Sequence, residues 1–344
     1  MISAAEAAAA ARSLSASPVS ACQNRFAVEV LMLGEDAAPV AGVALELRQG
    51  NACLRSRTSA EGVARFDGLD ASTYTLCPCE LDLDAWTLEA EQPLSEDQAR
   101  SAGKANWASA TDEDIRGGTL HTAAADDSVD RLALAHGLFP ATVWQHPRND
   151  ALRKARQSRN VLAQGDALFI PAIRRKTIAV QPKVRYILKR HGVPSRLRLR
   201  LLDDFQPLAD LAWTLAVPGE ATVQGRTDAD GVLQAWVSAA ASSAVLSYIA
   251  NGALRELNIS LGALLPGRVA GGWRQRLRNL GFACDAEDRQ PLSAADQRAI
   301  GRFQEYWGLP VTGTADAITI EKIRSVHDGR QAAPPAHGKY ASGS

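Results

Sequence analysis

The sequence predicts a multidomain α+β protein with two small β-sandwiches, a βααβ unit between them and a three-helix unit at the C-terminal end. Three observations support this fold class. A strand-rich pattern occurs twice, apolar residues between the two copies change to helical spacing, and the last 80 residues or so carry helix caps before apolar helical stripes. A chain of 344 residues also suits several small units better than a single core.

The expected boundaries follow from these changes of pattern. We expect an N-terminal leader or helix over 1–25, a β-sandwich over 26–90, an acidic linker over 91–118, the βααβ unit over 119–173, a second β-sandwich over 174–264, the three-helix unit over 265–328 and a disordered tail over 329–344.

The composition is that of a globular protein, with 46% hydrophobic and 22% charged residues. No run of eighteen apolar residues occurs, which argues against a membrane-spanning helix, so we expect no membrane insertion. The segment Met1–Ser20 lacks a basic start and is interrupted by Glu6, which makes it a poor signal peptide.

Charge is unevenly distributed although its sum is zero. Residues 80–130 hold thirteen acidic and three basic side chains, whereas residues 174–200 hold ten basic and no acidic ones. The basic segment could be solvated or paired with the acidic one, could bind a partner protein or an anionic wall polymer, or could bind nucleic acid. The first of these is favoured, and we expect no nucleic-acid partner.

The five cysteines leave three alternatives open. Four of them lie in the first 80 residues, and the Cys-Pro-Cys spacing is not that of a zinc knuckle. One disulfide formed after export, a zinc site, or buried and free thiols all remain possible for these side chains: Cys22, Cys53, Cys77, Cys79 and Cys284.

The two strand-rich regions are copies of one design. Pro39–Leu47 followed by Thr58–Val63 matches Pro207–Leu215 followed by Thr227–Val232, with nearly the same spacing. Each copy alternates apolar residues and then turns at Ala-Glu-Gly or Ala-Asp-Gly, where a glycine permits positive φ. This pattern resembles the prealbumin-like or carboxypeptidase-regulatory-like β-sandwich, a resemblance that implies a spacer or adhesion module without chemistry of its own.

Between the copies, residues 91–118 are acidic and rich in Ser, Ala and Gly, which predicts a linker. A helix is then predicted behind the N-cap Asp126–Ser128, because apolar residues follow at helical spacing. A second helix is predicted from Ala141 to about Leu152, and Leu168–Ile170 predicts the closing strand.

This βααβ unit resembles a LysM domain over residues 119–171. The resemblance rests on Leu120-His-Thr, Asp126-Asp-Ser, Asn160-Val-Leu-Ala-Gln-Gly-Asp and Leu168-Phe-Ile-Pro. The family's Gly-Asp-Thr turn is replaced by Asp126-Asp-Ser, and the second helix is extended. The resemblance implies a groove for N-acetylglucosamine units formed by Asp127, Ser128, Asn160, Val161 and Leu162. The alternative is that the first two only cap a helix and the last two only pack against it.

In the C-terminal region, Trp273 and Leu277 share one helical face, Ser293 and Asp296 have capping-box spacing, and Asp316 precedes a third amphipathic stretch. The segments Ala299-Ile-Gly-Arg-Phe-Gln and Gly308-Leu-Pro-Val-Thr-Gly-Thr-Ala-Asp resemble the peptidoglycan-binding domain found at the ends of many cell-wall hydrolases. The family's Asp-Gly-x-Phe-Gly turn is absent.

Solvent-facing contacts with glycan are expected from Gln304, Tyr306 and Thr312, which supply an aromatic ring, an amide and a hydroxyl. Phe303 and Val311 are expected in the core.

No arrangement typical of a catalytic centre is visible. The six histidines are scattered, and neither His-Glu-x-x-His nor Gly-x-Ser-x-Gly occurs. We therefore expect no enzyme activity, no cofactor and no bound metal.

The whole order of units resembles proteins encoded in bacterial type VI secretion clusters. That resemblance implies synthesis in the cytoplasm without a clear signal peptide, and action in the periplasm, in the cell envelope or on the secretion apparatus. Two functions follow: a non-catalytic adaptor that binds peptidoglycan, or a protein–protein scaffold on the spike or an effector whose modules no longer bind glycan.

Overall fold

The structure, a computed structural model, describes residues 25–110, 117–124, 127–203, 206–262, 264–282, 284–285 and 291–328. The predicted leader, apart from Arg25, and the predicted tail lie outside the described residues, as does Cys22. The architecture consists mostly of β-sandwich sheets, with a few short helices.

The first sandwich contains two facing sheets around one apolar core. The strands are β1 (Arg25–Leu33), β2 (Ala44–Gln49), β3 (Ala52–Arg57), β4 (Val63–Leu69), β5 (Tyr74–Cys77), β6 (Trp86–Pro93), β7 (Arg100–Ser101), β8 (Ala108–Ser109), β11 (Ile178–Val180) and β12 (Val184–Arg190). One sheet has the order β4-β1-β12-β6 with β7 beside β1, and the other has the order β11-β5-β2-β3-β8. Alternating residues point into the core, as in Val28, Val30 and Met32 of β1, all fully buried.

The last two of these strands correct the expected boundary at residue 174. β12 lies parallel to β1, with Glu29 opposite Arg185, and β11 pairs with β5. The residues from 178 to 190 therefore complete the first sandwich, and the βααβ unit is an insertion within it. Apolar alternation predicts a strand but does not indicate which sheet the strand joins, and for this reason the sequence pattern placed them in the second copy.

The expected linker is also different in the structure. Strands β6, β7 and β8 and the short helix α1 (Glu96–Ala99) all pack on the first sandwich. Trp107 stacks on Tyr74, with 5.7 Å between ring centroids, and lies against the core. Of the acidic residues that the structure describes in this stretch, Glu91 lies on the exposed part of β6, and Glu96 and Asp97 lie in the first turn of α1.

The inserted unit has a two-stranded sheet, β9 (Thr119–Thr122) and β10 (Ala167–Ile170), covered by helices α2 (Val129–Ala135), α3 (Pro140–Trp144) and α4 (Asp150–Arg156). The single second helix predicted from Ala141 is two helices, because Pro147 interrupts the hydrogen-bond ladder and a 3-10 turn follows. Ser128 caps α2 as predicted.

One buried carboxylate joins the inserted unit to the sandwich. The Asp82 side chain is fully buried and accepts hydrogen bonds from the Arg174 backbone N–H at 2.8 Å and from Arg174 Nη2 at 2.7 Å. The backbone N–H of Asp82 donates to Gly137 O. A Cβ at Gly137 would lie 1.8 Å from Glu80 O, so only glycine permits this approach.

The second sandwich has fewer strands. Its larger sheet has the order β17-β16-β19-β20, and the opposite layer contains the pair β13-β18 and the small hairpin β14-β15. The strands are β13 (Ser195–Arg200), β14 (Leu202–Asp203), β15 (Gln206–Pro207), β16 (Ala212–Ala216), β17 (Val223–Arg226), β18 (Val232–Val237), β19 (Ser243–Ala250) and β20 (Ala253–Ser260).

The repeat seen in the sequence extends to hydrogen bonds. Thr58 Oγ1 donates to Val40 O and accepts from a backbone N–H, and Thr227 Oγ1 does the same with Leu208 O. Both threonines are buried just before the matching Gly turns. The two sandwiches are thus built on one local plan.

The C-terminal unit contains helices α5 (Ala270–Asn279), α6 (Ala294–Tyr306) and α7 (Ala317–His327) around Trp273, Leu277 and Phe303. The predicted Ser293 capping box and the Asp316 cap are confirmed. Asp296 forms a fully buried ion pair with Arg274, 2.9 Å between Oδ2 and Nη2.

We expect Asp82→Ala to lower the free energy of opening β12 by about 2 kcal/mol. The substitution removes a buried carboxylate that accepts hydrogen bonds from Arg174 and from the Asp84 backbone N–H. Hydrogen exchange of the β12 amides measures this. The matched control is Glu80→Ala, which removes an exposed pair with Arg57 and should cost less than about 1 kcal/mol. Equal losses in both variants would contradict the role given to Asp82.

Candidate functional site

The residues that the LysM resemblance assigned to glycan lie together at one end of the inserted unit. Asp127 Oδ2 accepts a hydrogen bond from the Ala124 backbone N–H at 2.8 Å and lies 2.7 Å from His121 Nε2. Burial acts to raise the pKa of Asp127, but these bonds outweigh it and lower the pKa below its usual value. The carboxylate is therefore already engaged in closing the turn before α2.

Ser128 is also engaged within the chain. It is almost fully buried, and its Oγ accepts the Arg131 backbone N–H at the start of α2. Gly262 lies directly against it, because a Cβ at Gly262 would be 3.3 Å from Ser128 Oγ. The side chain thus caps a helix and faces the segment that follows the second sandwich.

The other side of the expected groove is covered by the same segment. Val161 and Leu162 are buried, at 2% and 5% exposure. Val161 forms a parallel β-bridge with Leu264, and the Leu264 N–H donates to Asn160 O at 3.4 Å. Only the Asn160 side chain remains exposed among these three residues.

Gly262 and Leu264 therefore lie where the resemblance placed the sugar. Sequence reasoning missed this, since these two residues are more than 100 residues away along the chain and have no local pattern. Ser128 caps α2 and Val161 and Leu162 are buried, as in the alternative, while Asp127 closes the turn before α2.

In the C-terminal unit, Gln304 is not solvent-facing as expected but fully buried. Its Oε1 accepts the backbone N–H groups of Thr312 and Gly313, and its Nε2 donates to Thr314 O and to Thr319 Oγ1. One amide thus fixes the loop between α6 and α7. The sequence pattern does indicate this position, because Gln304 lies four residues after the core residue Ile300 and therefore on the same face of the helix.

Tyr306 and Thr312, the other two predicted glycan contacts, are exposed, unlike Gln304. Tyr306 is 38% exposed, with its ring edge-to-face on Trp307. Thr312 is exposed as a residue, but its hydroxyl is hydrogen-bonded to Gln304 and Thr314. Val311, expected in the core, is 65% exposed, while Phe303 is fully buried as expected.

The cysteines within the described residues are free thiols: Cys53, Cys77, Cys79 and Cys284. Burial raises the pKa of Cys77 to about 11, which disfavours the thiolate that a nucleophile or a metal ligand needs. No group of three or more metal-ligating side chains occurs within the part of the chain that the structure describes. Its helices include none that is long and apolar enough to cross a membrane.

The basic segment 174–200 is partly paired, and only partly with the acidic block. Arg174 binds Asp82 and Asp84, which belong to that block. Arg185 instead binds Glu29 on β1. Arg190, at the end of β12, is buried and donates to the backbone oxygens of Ala85 and His191. Arg196, Arg198 and Arg200 lie on β13 and are exposed.

Comparison with protein-family models gives no match, and no curated protein matches the chain. Solved structures give distant likenesses. The Bacillus anthracis TIE protein is 13% identical with a TM-score of 0.25, over 69% of this chain and 31% of that one. A streptococcal ancillary pilin is 8% identical with a TM-score of 0.20, over 70% and 60%. BcpA, the major pilin subunit of Bacillus cereus, is 10% identical with a TM-score of 0.18, over 70% and 97%.

The chain therefore spans about a third of the TIE structure and 60% of the ancillary pilin.

We expect Gln304→Ala to destabilise the C-terminal unit by about 2 kcal/mol, because it leaves buried donors and acceptors without partners. The free energy of opening α6, from hydrogen exchange, measures this loss. Gln297→Ala is the matched control on the exposed side of the same helix and should cost less than about 0.5 kcal/mol. A stable Gln304→Ala variant would contradict the clamp.

We also expect the Asp296–Arg274 pair to make this unit acid-sensitive. Burial raises the pKa of Asp296, but hydrogen bonds from Arg274 and from the Asp285 backbone outweigh it and lower the pKa below its usual 3.8. Because the folded pKa is depressed, the stabilisation is present above the unfolded pKa of about 4 and is lost as pH falls through the folded value.

The test compares the wild type with Asp296→Asn by the same hydrogen-exchange measurement from pH 7 to pH 3. At pH 7 the variant should be less stable by about 3 kcal/mol, because the buried Arg274 guanidinium has lost the Asp296 carboxylate. The difference should shrink below about pH 4. The pair of the exposed Glu321 with Arg324 gives the control, Glu321→Gln, whose difference should stay under about 1 kcal/mol.

Proposed function

We propose that this protein is a non-catalytic scaffold that holds protein partners, with the spike or an effector of a type VI secretion or related contractile injection apparatus as the partner class. One observation carries the proposal. Gly262 and Leu264 of the chain itself lie against Ser128 and Val161, at the position where a LysM domain would hold glycan. A module whose groove is used for packing between units suits a rigid framework better than a sugar-binding site.

The joints between units support the same interpretation. The inserted unit is bound to the first sandwich through Asp82 and Arg174, and to the segment before the C-terminal unit through Val161 and Leu264. Arg324 of α7 also donates to Gln157, just beyond α4, at 3.3 Å. Fixed joints hold surfaces in constant relation, which is what a scaffold for several partners requires.

The partner class comes from the sequence resemblance alone. The order of units resembles proteins of type VI secretion clusters, and in that setting a scaffold would dock on the spike or carry an effector. The absence of a catalytic role remains a prediction. It agrees with the raised pKa of Cys77 and with hydrogen-bonding roles for Asp127 and Ser128 that occupy both side chains.

Peptidoglycan binding by an adaptor is the second candidate. It is favoured by the exposure of Tyr306 beside Trp307, and of the Asn160 side chain. An exposed aromatic ring and a free amide are groups that commonly contact sugars in shallow sites.

Sedimentation with purified peptidoglycan sacculi at low salt separates the two candidates. We expect the full chain to stay in the supernatant, because Ser128, Val161 and Leu162 are covered, and to co-purify with spike or effector protein from the same cluster. Sedimentation with sacculi would overturn the scaffold proposal if it is reduced by Asn160→Ala or Tyr306→Ala. The matched control for the first variant is Asn258→Ala on the exposed β20, which should leave sedimentation unchanged.

A further inference from the structure

The second sandwich lacks a strand that the first one has. In the first copy, β1 lies between β4 and β12. In the second copy, β13 pairs with β18 and, among the described residues, with nothing on its other side. The edge of β13 is therefore open at the position that β12 occupies in the first copy.

The repeat fixes the correspondence residue by residue. Met32 donates its backbone N–H to Gly62 O, and Leu201 donates to Gly231 O in the same turn. Counting back three residues from each donor places Arg198 where the first copy has Glu29. The cross-strand neighbours agree, because Glu29 is opposite Arg65 and Arg198 is opposite Gln234.

The core of the second copy is correspondingly less well covered. Val28 and Val30 of β1 are fully buried, whereas the equivalent Leu197 and Leu199 of β13 are only half-buried. The facing sheet shows the same difference. Leu257 of β20, which is opposite Leu246, is 42% exposed although it lies on the core side of its strand. Apolar surface that a further strand would bury is thus left open on both layers.

Charge indicates what the missing strand contains. In the first copy, Glu29 on β1 binds Arg185 of the parallel strand β12. In the second copy the sign is reversed, because Arg198 replaces Glu29, and Arg196 and Arg200 flank it on the same exposed face. Within the described part of the chain, no carboxylate lies within ion-pair distance of these three arginines. A strand in this place would meet a basic row.

We propose that the open edge of β13 binds an extended segment of a partner protein, parallel to β13, in which acidic residues alternate with apolar ones. The acidic side chains face Arg198 and Arg200, and the apolar ones cover Leu197, Leu199 and Leu257. This is strand addition, in which backbone hydrogen bonds supply affinity and alternate side chains supply specificity. The proposal names one partner of the scaffold proposed above and rests on that function.

The other open edge of this sandwich does not carry the same inference. β20 is the last strand of its sheet, but its counterpart in the first copy, β11, is also the last strand. The repeat therefore predicts no further strand beside β20.

The probe is a fluorescent peptide of residues 183–191, the β12 strand, with Arg185→Glu and Ile187→Glu. These two positions are opposite Glu29 and Leu31, whose equivalents are Arg198 and Arg200. The control peptide carries lysine at both positions. Fluorescence anisotropy with the full chain should give at least tenfold tighter binding of the glutamate peptide, and hydrogen exchange should show new protection in β13.

Charge reversal in the protein makes the test specific. Arg198→Glu, an exposed substitution, should weaken binding of the glutamate peptide at least tenfold and improve binding of the lysine peptide. Arg255→Glu on the exposed β20 edge is the matched control and should change neither. An unchanged melting temperature for both variants shows that folding is intact.

Equal binding of both peptides, or no binding of either, would overturn the inference. Full protection of the β13 amides in the chain alone would also overturn it, because another segment of this chain or a second copy would then already occupy the edge. A chain that binds no peptide and yet co-purifies with spike or effector protein refutes the strand-addition inference alone. Sedimentation with sacculi would refute the scaffold function, but it would not change whether β13 binds the glutamate peptide.

Discussion

The first sandwich can close only when β12 returns to lie beside β1, since the core residues Tyr186 and Leu188 come from β12. A parallel pair needs a long crossover, and here the crossover contains a whole folded unit. The two ends of that unit lie side by side, because Thr119 of β9 is paired with Ile170 of β10. The Asp82–Arg174 contact lies at this joint, where a buried carboxylate fixes the returning chain just before β11. The position of the inserted unit and of everything after it depends on this return.

Local patterns predicted local structure well in this chain. The strands around Val28 and Leu47 and the helix caps at Ser128, Ser293 and Asp316 are confirmed, because each depends on neighbours within a few residues. Strands β11 and β12 belong to the first sandwich because they pair with β5 and β1, which are far away along the chain. Trp107 likewise packs on the distant Tyr74. No periodicity in the sequence specifies these partners. The broken second helix could have been predicted, since Pro147 is visible in the sequence.

The candidate site shows the same division. The resemblance brought Asp127, Ser128, Val161 and Leu162 together, and in the structure they are neighbours at one end of the inserted unit. It could not predict that Leu264 lies against them, nor that Gln304 faces inward to hold a loop. Whether a polar side chain serves a ligand or the fold depends on which backbone groups need a partner, and that is decided by tertiary packing.

The insertion also imposes an order on synthesis at the ribosome. Leu33 and Val184 are about 150 residues apart, so β1 leaves the ribosome about 8 to 30 seconds before β12 at translation rates of about 5–20 residues per second. During that interval the nascent sandwich has a bare edge, and Glu29 on it is a charge that discourages pairing with a neighbouring chain. The basic β12 emerges shortly before the basic β13, so the strand that neutralises this edge reaches it first.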